Sequence, residues 1–381
     1  MPKRNQTSNT SRNKAELIRG GRGYFDLLKK LIDEAEHLIH FQFYIFEPDK
    51  TGREVANVLI DAAKRGVKVY VLLDAYGSQK LTRSITEEFQ AAGIHFRWFQ
   101  PFFKSTTFYL GRRLHHKVVV IDSYHGLVSG LNISDRYNDM PDDPAWLDWA
   151  LHCEGEVSIQ LEDICRRRMK LGPQANHSKQ SITTEGCEIG VRVNDWVGRR
   201  QEITQTYLTM LREAHTHVLM MTSYFMPGYQ FRKSLKAAVK RGVKVQMILT
   251  GDSDVPAAKY AERFMYEWLL RNNIEIWEYQ KNVLHGKIAT ADGKWATVGS
   301  YNLNNLSAYA SIELNLEVID QVVVRDIEKH LQEVLTNDCK QITPRIYKKK
   351  ANVFTRLLQG TAYSMFRFML FIFTLRIRHP E

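Results

Sequence analysis

The sequence predicts an α/β fold made twice over: two α/β/α lobes, each with a mixed or largely parallel sheet, packed about a pseudo-twofold seam. Three observations carry this. The octapeptide Ala62-Ala-Lys-Arg-Gly-Val-Lys-Val69 recurs as Ala238-Val-Lys-Arg-Gly-Val-Lys-Val245. An apolar, strand-like run stands before and after each copy. The pattern H-x-K-x4-D occurs once in each half, at matched places.

Taken along the chain, residues 1–14 form a basic tail, expected to be disordered, with Lys3, Arg4, Arg12 and Lys14 and no acid. In the first half, 15–172, an aromatic apolar run at 40–46 reads as a strand. The helix after it ends in Lys64-Arg65-Gly66, with cations in the last turn and a glycine able to take the left-handed cap. Residues 70–73 form the next strand, and 93–99 alternate as a half-buried strand does. A polar linker spans 173–187. The second half, 188–343, repeats the series: strand at 220–226, helix ending Lys240-Arg241-Gly242, strand at 246–249, alternating strand at 273–279. Residues 344–381 form a basic and apolar tail expected to interact with a membrane.

The formal charge is +11, and its placement is more telling than its size. Residues 344–381 hold eight basic side chains against Glu381 alone, so with the N-terminal tail the ends carry the whole excess and the body is formally neutral. A protein that grips nucleic acid needs Lys or Arg beside each phosphate on its folded body, so no nucleic-acid partner is expected. Four cysteines without CxxC spacing indicate neither a zinc site nor a disulfide framework, and fit a reduced, cytoplasmic setting. The N-terminus lacks the apolar core of a secretory signal. The apolar run at 365–375 is shorter than the roughly 20 residues needed to span a bilayer. Flanked by Lys and Arg, it reads as an interfacial helix at an anionic membrane surface, the alternative being a helix docked on the body.

The chemistry lies in His115-His-Lys117-Val-Val-Val-Ile-Asp122 and His285-Gly-Lys287-Ile-Ala-Thr-Ala-Asp292, each followed ten residues after the Asp by Asn132 or Asn302. One such pattern arises by chance; two copies at matched places with the same Asn do not. On a strand, residues i and i+2 project together, so His115 pairs with Lys117 and His285 with Lys287. Asp122 and Asp292, part of the same catalytic signature, are expected to close the strand and brace the hairpin, with the Asn on the returning strand. Two facing hairpins would gather two imidazoles, two ammonium groups and two amides around a phosphate. One neutral imidazole can attack phosphorus while the other, protonated, serves the leaving alkoxide. Lys117 and Lys287 would neutralise the non-bridging oxygens, with Asn132 and Asn302 as substrate-binding donors. This scheme needs no metal and no cofactor. Neither half holds both an acid and a nucleophile, so the site must lie at the seam. His116, His125 and His152 keep no motif spacing and read as structural.

These paired motifs resemble the signature of the phospholipase D superfamily over residues 15–343. The likeness is closer to bacterial cardiolipin synthases in Phe43-Tyr-Ile-Phe-Glu47, Leu72-Leu-Asp-Ala-Tyr-Gly-Ser78, Asn132-Ile-Ser-Asp-Arg-Tyr137 and Tyr224-Phe-Met-Pro227. The resemblance implies a duplicated phospholipase D-type fold and a phosphohistidine formed on His115, with His285 as general acid. It also implies Asp148 and Glu313 as acids that orient the catalytic imidazoles. The implied activity is transfer of a phosphatidyl group between phospholipids, with an anionic phosphatidylglycerol-like substrate, by a peripheral protein on the cytoplasmic face of the cell membrane. A hydrolytic phospholipase or a nuclease of the same superfamily is the alternative, and a catalytically silent scaffold a third. The first copy departs from the pattern in reading Ser129-Gly130 where the second reads Gly299-Ser300.

Overall fold

The computed structural model describes residues 8–101, 112–172, 186–350 and 352–375. Residues 1–7 of the basic N-terminal tail, 173–185 of the linker and 376–381 of the C-terminal tail lie outside them.

The first half runs β1 (Asn13–Arg19), α1 (Arg22–Asp33), β2 (Leu38–Phe43), α2 (Lys50–Lys64), β3 (Lys68–Asp74), α3 (Arg83–Ala91), β4 (His95–Phe99), β5 (Arg113–Leu114), β6 (Val118–Ile121), β7 (His125–Ser129), β8 (Trp149–Gly155) and α4 (Glu156–Met169). The second runs β9 (Glu188–Asp195), β10 (Arg200–Gln201), α5 (Glu202–Glu213), β11 (His217–Thr222), α6 (Tyr229–Lys240), β12 (Lys244–Asp252), α7 (Pro256–Phe264), α8 (Tyr266–Arg271), β13 (Glu275–Val283), β14 (Ile288–Ala291), β15 (Trp295–Gly299), α9 (Asn305–Tyr309), β16 (Ser311–Ile319), α10 (Gln321–Asp338) and β17 (Cys339–Gln341). The helices α11 (Pro344–Lys350) and α12 (Val353–Leu375) follow.

Both sheets are mixed. Among the described residues the first is ordered β1-β8-β7-β6-β2-β3-β4, and the second β10-β9-β16-β15-β14-β11-β12-β13-β17. In each, a parallel trio is joined by an antiparallel hairpin: β2, β3 and β4 with β6, and β11, β12 and β13 with β14. The duplicated Lys-Arg-Gly ends its helix as expected. Gly66 and Gly242 take φ of 96° and 92°, which a side chain would resist. The strands β2 and β11 stop short of the expected ends at 46 and 226. Beyond Phe43 the backbone leaves its sheet neighbour, and the N–H of Ile45 is taken up by the Asn132 side chain at 3.1 Å.

The two sheets face each other. Val118, Val120, Trp149 and Leu151 from the first meet Leu219, Met221, Ile288, Val298, Leu314 and Leu316 from the second in one buried apolar cluster, with α4 and α10 completing it. The outer faces pack on α1–α3 in one lobe and α5–α8 in the other. Alternation along β8 sends Trp149, Leu151 and Cys153 to the seam and Ala150 to the outer core. The seam is thus an interior, and polar groups placed there are cut off from water.

At the C-terminus α12 lies on α7. The ring of Tyr363 stacks on Phe264 at 4.8 Å, Gly360 faces the same Phe264 ring, and Arg356 pairs with Glu267. Its other side leaves Phe354 75% and Phe368 63% exposed, with Leu357 and Met365 beside them. The docked-helix alternative thus holds for one face of α12, while the other face is bare and apolar. No helix among the described residues is long and apolar enough to cross a membrane.

Candidate active site

The motif residues do not sit in the strands. His115 to Lys117 and His285 to Lys287 occupy the irregular segments just ahead of β6 and β14. Each segment there is stitched to the opposite half. The N–H of His115 donates to the carbonyl of Ile312 at 2.9 Å, and β5 pairs in parallel with the start of β16. The N–H of His285 donates to the carbonyl of Leu147 at 2.7 Å, next to an isolated bridge between Leu147 and Leu284. In both cases the acceptor residue directly precedes an acid.

That register sets the side chains. Nδ1 of His115 lies 2.9 Å from Oε2 of Glu313, and Nδ1 of His285 lies 2.6 Å from Oδ2 of Asp148. The acids therefore cross: the first half's Asp148 serves the second half's histidine, and Glu313 serves the first. A carboxylate on Nδ1 holds the proton there and leaves Nε2 with its lone pair toward the site. Asp148 also accepts from the N–H of Trp149 at 2.7 Å, and Glu313 from the Ser300 hydroxyl at 2.5 Å.

Both lysines fold back on their own histidine. Nζ of Lys117 donates to the His115 carbonyl at 2.5 Å and lies 5.4 Å from the centre of the Tyr44 ring. Nζ of Lys287 donates to the His285 carbonyl and to the Ser223 hydroxyl at 3.2 Å, and lies 2.8 Å from Nδ1 of His285. Lys117, Lys287, Asp148 and Glu313 are all buried.

Burial sets the protonation. It lowers Lys117 to about 7 against the opposing pull of Glu313, and Lys287 to about 8 against that of Asp148. It raises Asp148 to about 7 in spite of Lys287. Burial also lowers His115, partly offset by Glu313, and pushes His285 well down with the help of both lysines. Each of these groups feels the charges of the other half, as groups gathered in one volume must.

Asp122 and Asp292 are not brought to this volume. They lie five residues beyond each lysine, roughly 16 Å along a strand, at the far turn of the hairpin. Each takes positive φ there, 51° and 54°, and accepts three backbone N–H groups: those of Glu36, His37 and Leu38, and of His215, Thr216 and His217. Burial works against ionisation of Asp292, but the Thr216 hydroxyl and these N–H groups outweigh it and hold the carboxyl well below the usual range. Their grouping with the catalytic residues gives way to the bracing role that their place before a turn predicts.

The two asparagines differ. They stand three residues beyond β7 and β15, in loops rather than on the returning strands. Asn132 is fully engaged, accepting from Ile45 and donating to the Tyr137 hydroxyl at 2.9 Å. Asn302 is buried with its Oδ1 unpartnered among the described residues. His116 is turned away into the core, 3.0 Å from the Gln42 amide oxygen.

The rings that wall the site belong to neither catalytic motif. Tyr44 packs edge-on against His115 at 4.9 Å; Tyr137 and Trp146 flank His285 at 5.2 and 6.2 Å. Tyr44 and Tyr137 lie in segments that carry the family likeness, which was the available signal. Ser129-Gly130 also finds its reason. A Cβ at Gly130 would collide with the Asp148 carboxylate, and one at Gly299 with the backbone at Leu314 and Asn315, so each half keeps a glycine where its own partner presses closest.

A family model described as cardiolipin synthase, PLD-like domain, matches residues 28–149 and 207–335. The chain is 33% identical over 352 residues to cardiolipin synthase B of Escherichia coli (strain K12) and of Shigella flexneri, covering 89% of this chain and 84% of either relative. It is 30% identical to the probable cardiolipin synthase YwiE of Bacillus subtilis (strain 168), over 91% of this chain and 71% of that protein. The crystal structure of phosphatidylserine synthase from Haemophilus influenzae Rd KW20 shares the fold, with a TM-score of 0.75 at 13% identity over 95% of both chains.

Nitrogen-15 NMR of the imidazoles tests the crossed pairing. Both motif histidines should carry the proton on Nδ1, Glu313→Gln should shift the His115 resonances most, and Asp148→Asn those of His285 most. Uncrossed shifts would reject the arrangement.

Proposed function

The chain belongs to the cardiolipin synthase family of phospholipase D-like proteins, and we propose that its site moves a phosphatidyl group between phospholipids through a phosphohistidine. It is an enzyme, a phosphatidyltransferase of the cardiolipin synthase type. The observation that carries the mechanistic reading is the pair of imidazoles, each with a carboxylate on Nδ1, gathered with two buried lysines at the seam.

In the first step Nε2 of His115 attacks phosphorus and a P–N bond forms. The ester P–O bond breaks, and His285 gives its proton to the departing alkoxide. In the second, His285 takes the proton of the acceptor's hydroxyl as that oxygen attacks phosphorus and the P–N bond breaks. The starting protonation is restored. Lys117 and Lys287 stabilise the non-bridging oxygens, and Asn302, whose buried Oδ1 has no partner among the described residues, can accept from a substrate hydroxyl. The two lysines help to hold the proton affinity of His285 down. A bound phosphodiester brings negative charge that offsets them, so the imidazole gains its proton as substrate arrives. His115 is favoured as nucleophile because its Nδ1 meets Glu313 alone, whereas that of His285 is shared between Asp148 and Lys287.

A phosphatidylglycerol-like lipid is the proposed substrate, met at the membrane by a peripheral protein. The bare apolar side of α12 and the cations of α11 beside it support this reading: one buries in the acyl boundary while the other meets anionic headgroups. The four cysteines are free thiols, the state that a reducing cytoplasm maintains, which favours the cytoplasmic face.

Phosphatidylglycerol vesicles should yield a four-chain lipid while DNA stays intact. His115→Ala and His285→Ala should each abolish transfer, and a phosphorylated peptide should be trapped on His115; DNA cleavage without lipid transfer would sink the reading. Activity against pH gives a second check. Lys117 and Lys287 lose their charge as pH rises through about 7 and about 8, so kcat/KM should fall on that side. The acid limb should lie below the ordinary histidine value of about 6.5, because His115 stays neutral to lower pH. A flat profile from pH 7 to 9 counts against buried lysines as the phosphate clamp. Third, Phe354→Asp with Phe368→Asp should release the protein from anionic vesicles and spare turnover of detergent-dispersed lipid, whereas unchanged vesicle binding would place the membrane contact elsewhere.

A further inference from the structure

His125 and His152 lack a motif partner in the sequence, yet the sheet brings them together. Alternation along β8 points His152 and Glu154 to the outer face of the first sheet, away from the seam. On β7, His125 stands directly across from Glu154 and diagonally from His152. Nδ1 of His125 lies 3.2 Å from Nε2 of His152 and 4.0 Å from Oε1 of Glu154. One ligand atom from each of the three residues lies within 4.8 Å of the others.

We propose that His125, His152 and Glu154 bind a divalent ion of the zinc class. Zn–N bonds of about 2.0–2.1 Å in tetrahedral geometry put neighbouring ligand atoms about 3.3–3.4 Å apart, close to the His125–His152 separation, so side-chain rotation has to bring in mainly the Glu154 oxygen. Two imidazoles and a carboxylate suit that ion in type. The carboxylate is already steered, since the Tyr124 hydroxyl donates to Glu154 Oε2 at 3.2 Å. A fourth position is open to water or to Glu16, which is exposed on β1 directly opposite His152; Lys14, opposite Glu154, is the competing cation. The ligands sit on two paired strands beside the edge strand β1, at the end of the β6–β7 hairpin away from Lys117. The ion there clamps strands and does not meet substrate.

The full chain, stripped with chelator, is titrated with Zn2+ by calorimetry and with Co2+ as a spectroscopic probe. Wild type should bind one equivalent, show the strong visible bands of tetrahedral or five-coordinate Co2+, and gain Tm with Zn2+. His125→Ala, His152→Ala and Glu154→Gln should each lower the affinity by about 10-fold or more while metal-free lipid transfer stays within about twofold. Glu154→Gln keeps shape and volume, so it answers the question if a histidine variant fails to fold. No binding by folded wild type, binding unaltered in these variants, or binding lost in His285→Ala instead would each overturn the site. Lipid transfer is read separately, so failure here leaves the catalytic assignment standing.

Discussion

Four ionisable side chains are buried at the seam, two carboxylates and two ammonium groups, and the rest of the structure is arranged around that constraint. Removing a single ion of this kind from water costs several kcal/mol even after relaxation. Neither half could bear it alone, because each supplies an acid whose imidazole partner belongs to the other. The apolar cluster between the sheets supplies the dry surroundings, and the backbone bonds from His115 to Ile312 and from His285 to Leu147 fix the register in which the charges meet. Docking of the halves and assembly of the site are one event.

The pseudosymmetry is close in the backbone and loose in the side chains, and that looseness gives the two histidines different surroundings. Lys117 lies against the Tyr44 ring where Lys287 meets the Ser223 hydroxyl. Glu313 is held by the Ser300 hydroxyl, while Asp148 faces Gly130, which has no side chain to offer. Asn132 is locked to Ile45 and Tyr137, while the Asn302 amide oxygen has no partner among the described residues. Two copies of one motif thus present two electrostatic environments, as the proposed reaction requires when one imidazole attacks and the other carries a proton.

The same dryness bears on the competition between alcohol and water for the proposed phosphohistidine. Aromatic walls from Tyr44, Tyr137 and Trp146 surround the imidazoles. With water thinned out, the electrostatic interactions of the lysines strengthen, and an acceptor that brings its own apolar chains gains over a free water molecule. Transfer rather than hydrolysis is the chemistry that such a wall favours.

The sequence by itself determined the duplication, the α/β lobes, the helix ends at Gly66 and Gly242, and the two matched motifs that supply His115, Lys117, His285 and Lys287. It could do so because these are local matters of periodicity, capping and spacing. Even the bracing role of Asp122 and Asp292 was legible from their place before a turn. Only the tertiary structure decided that the acids cross, that the motif segments precede their strands, that Asn132 is tied into a loop, and that His125 and His152 converge. Each of those depends on which backbone lies beside which across a seam or a sheet, and contacts between residues 137 or 198 positions apart leave no trace in local pattern.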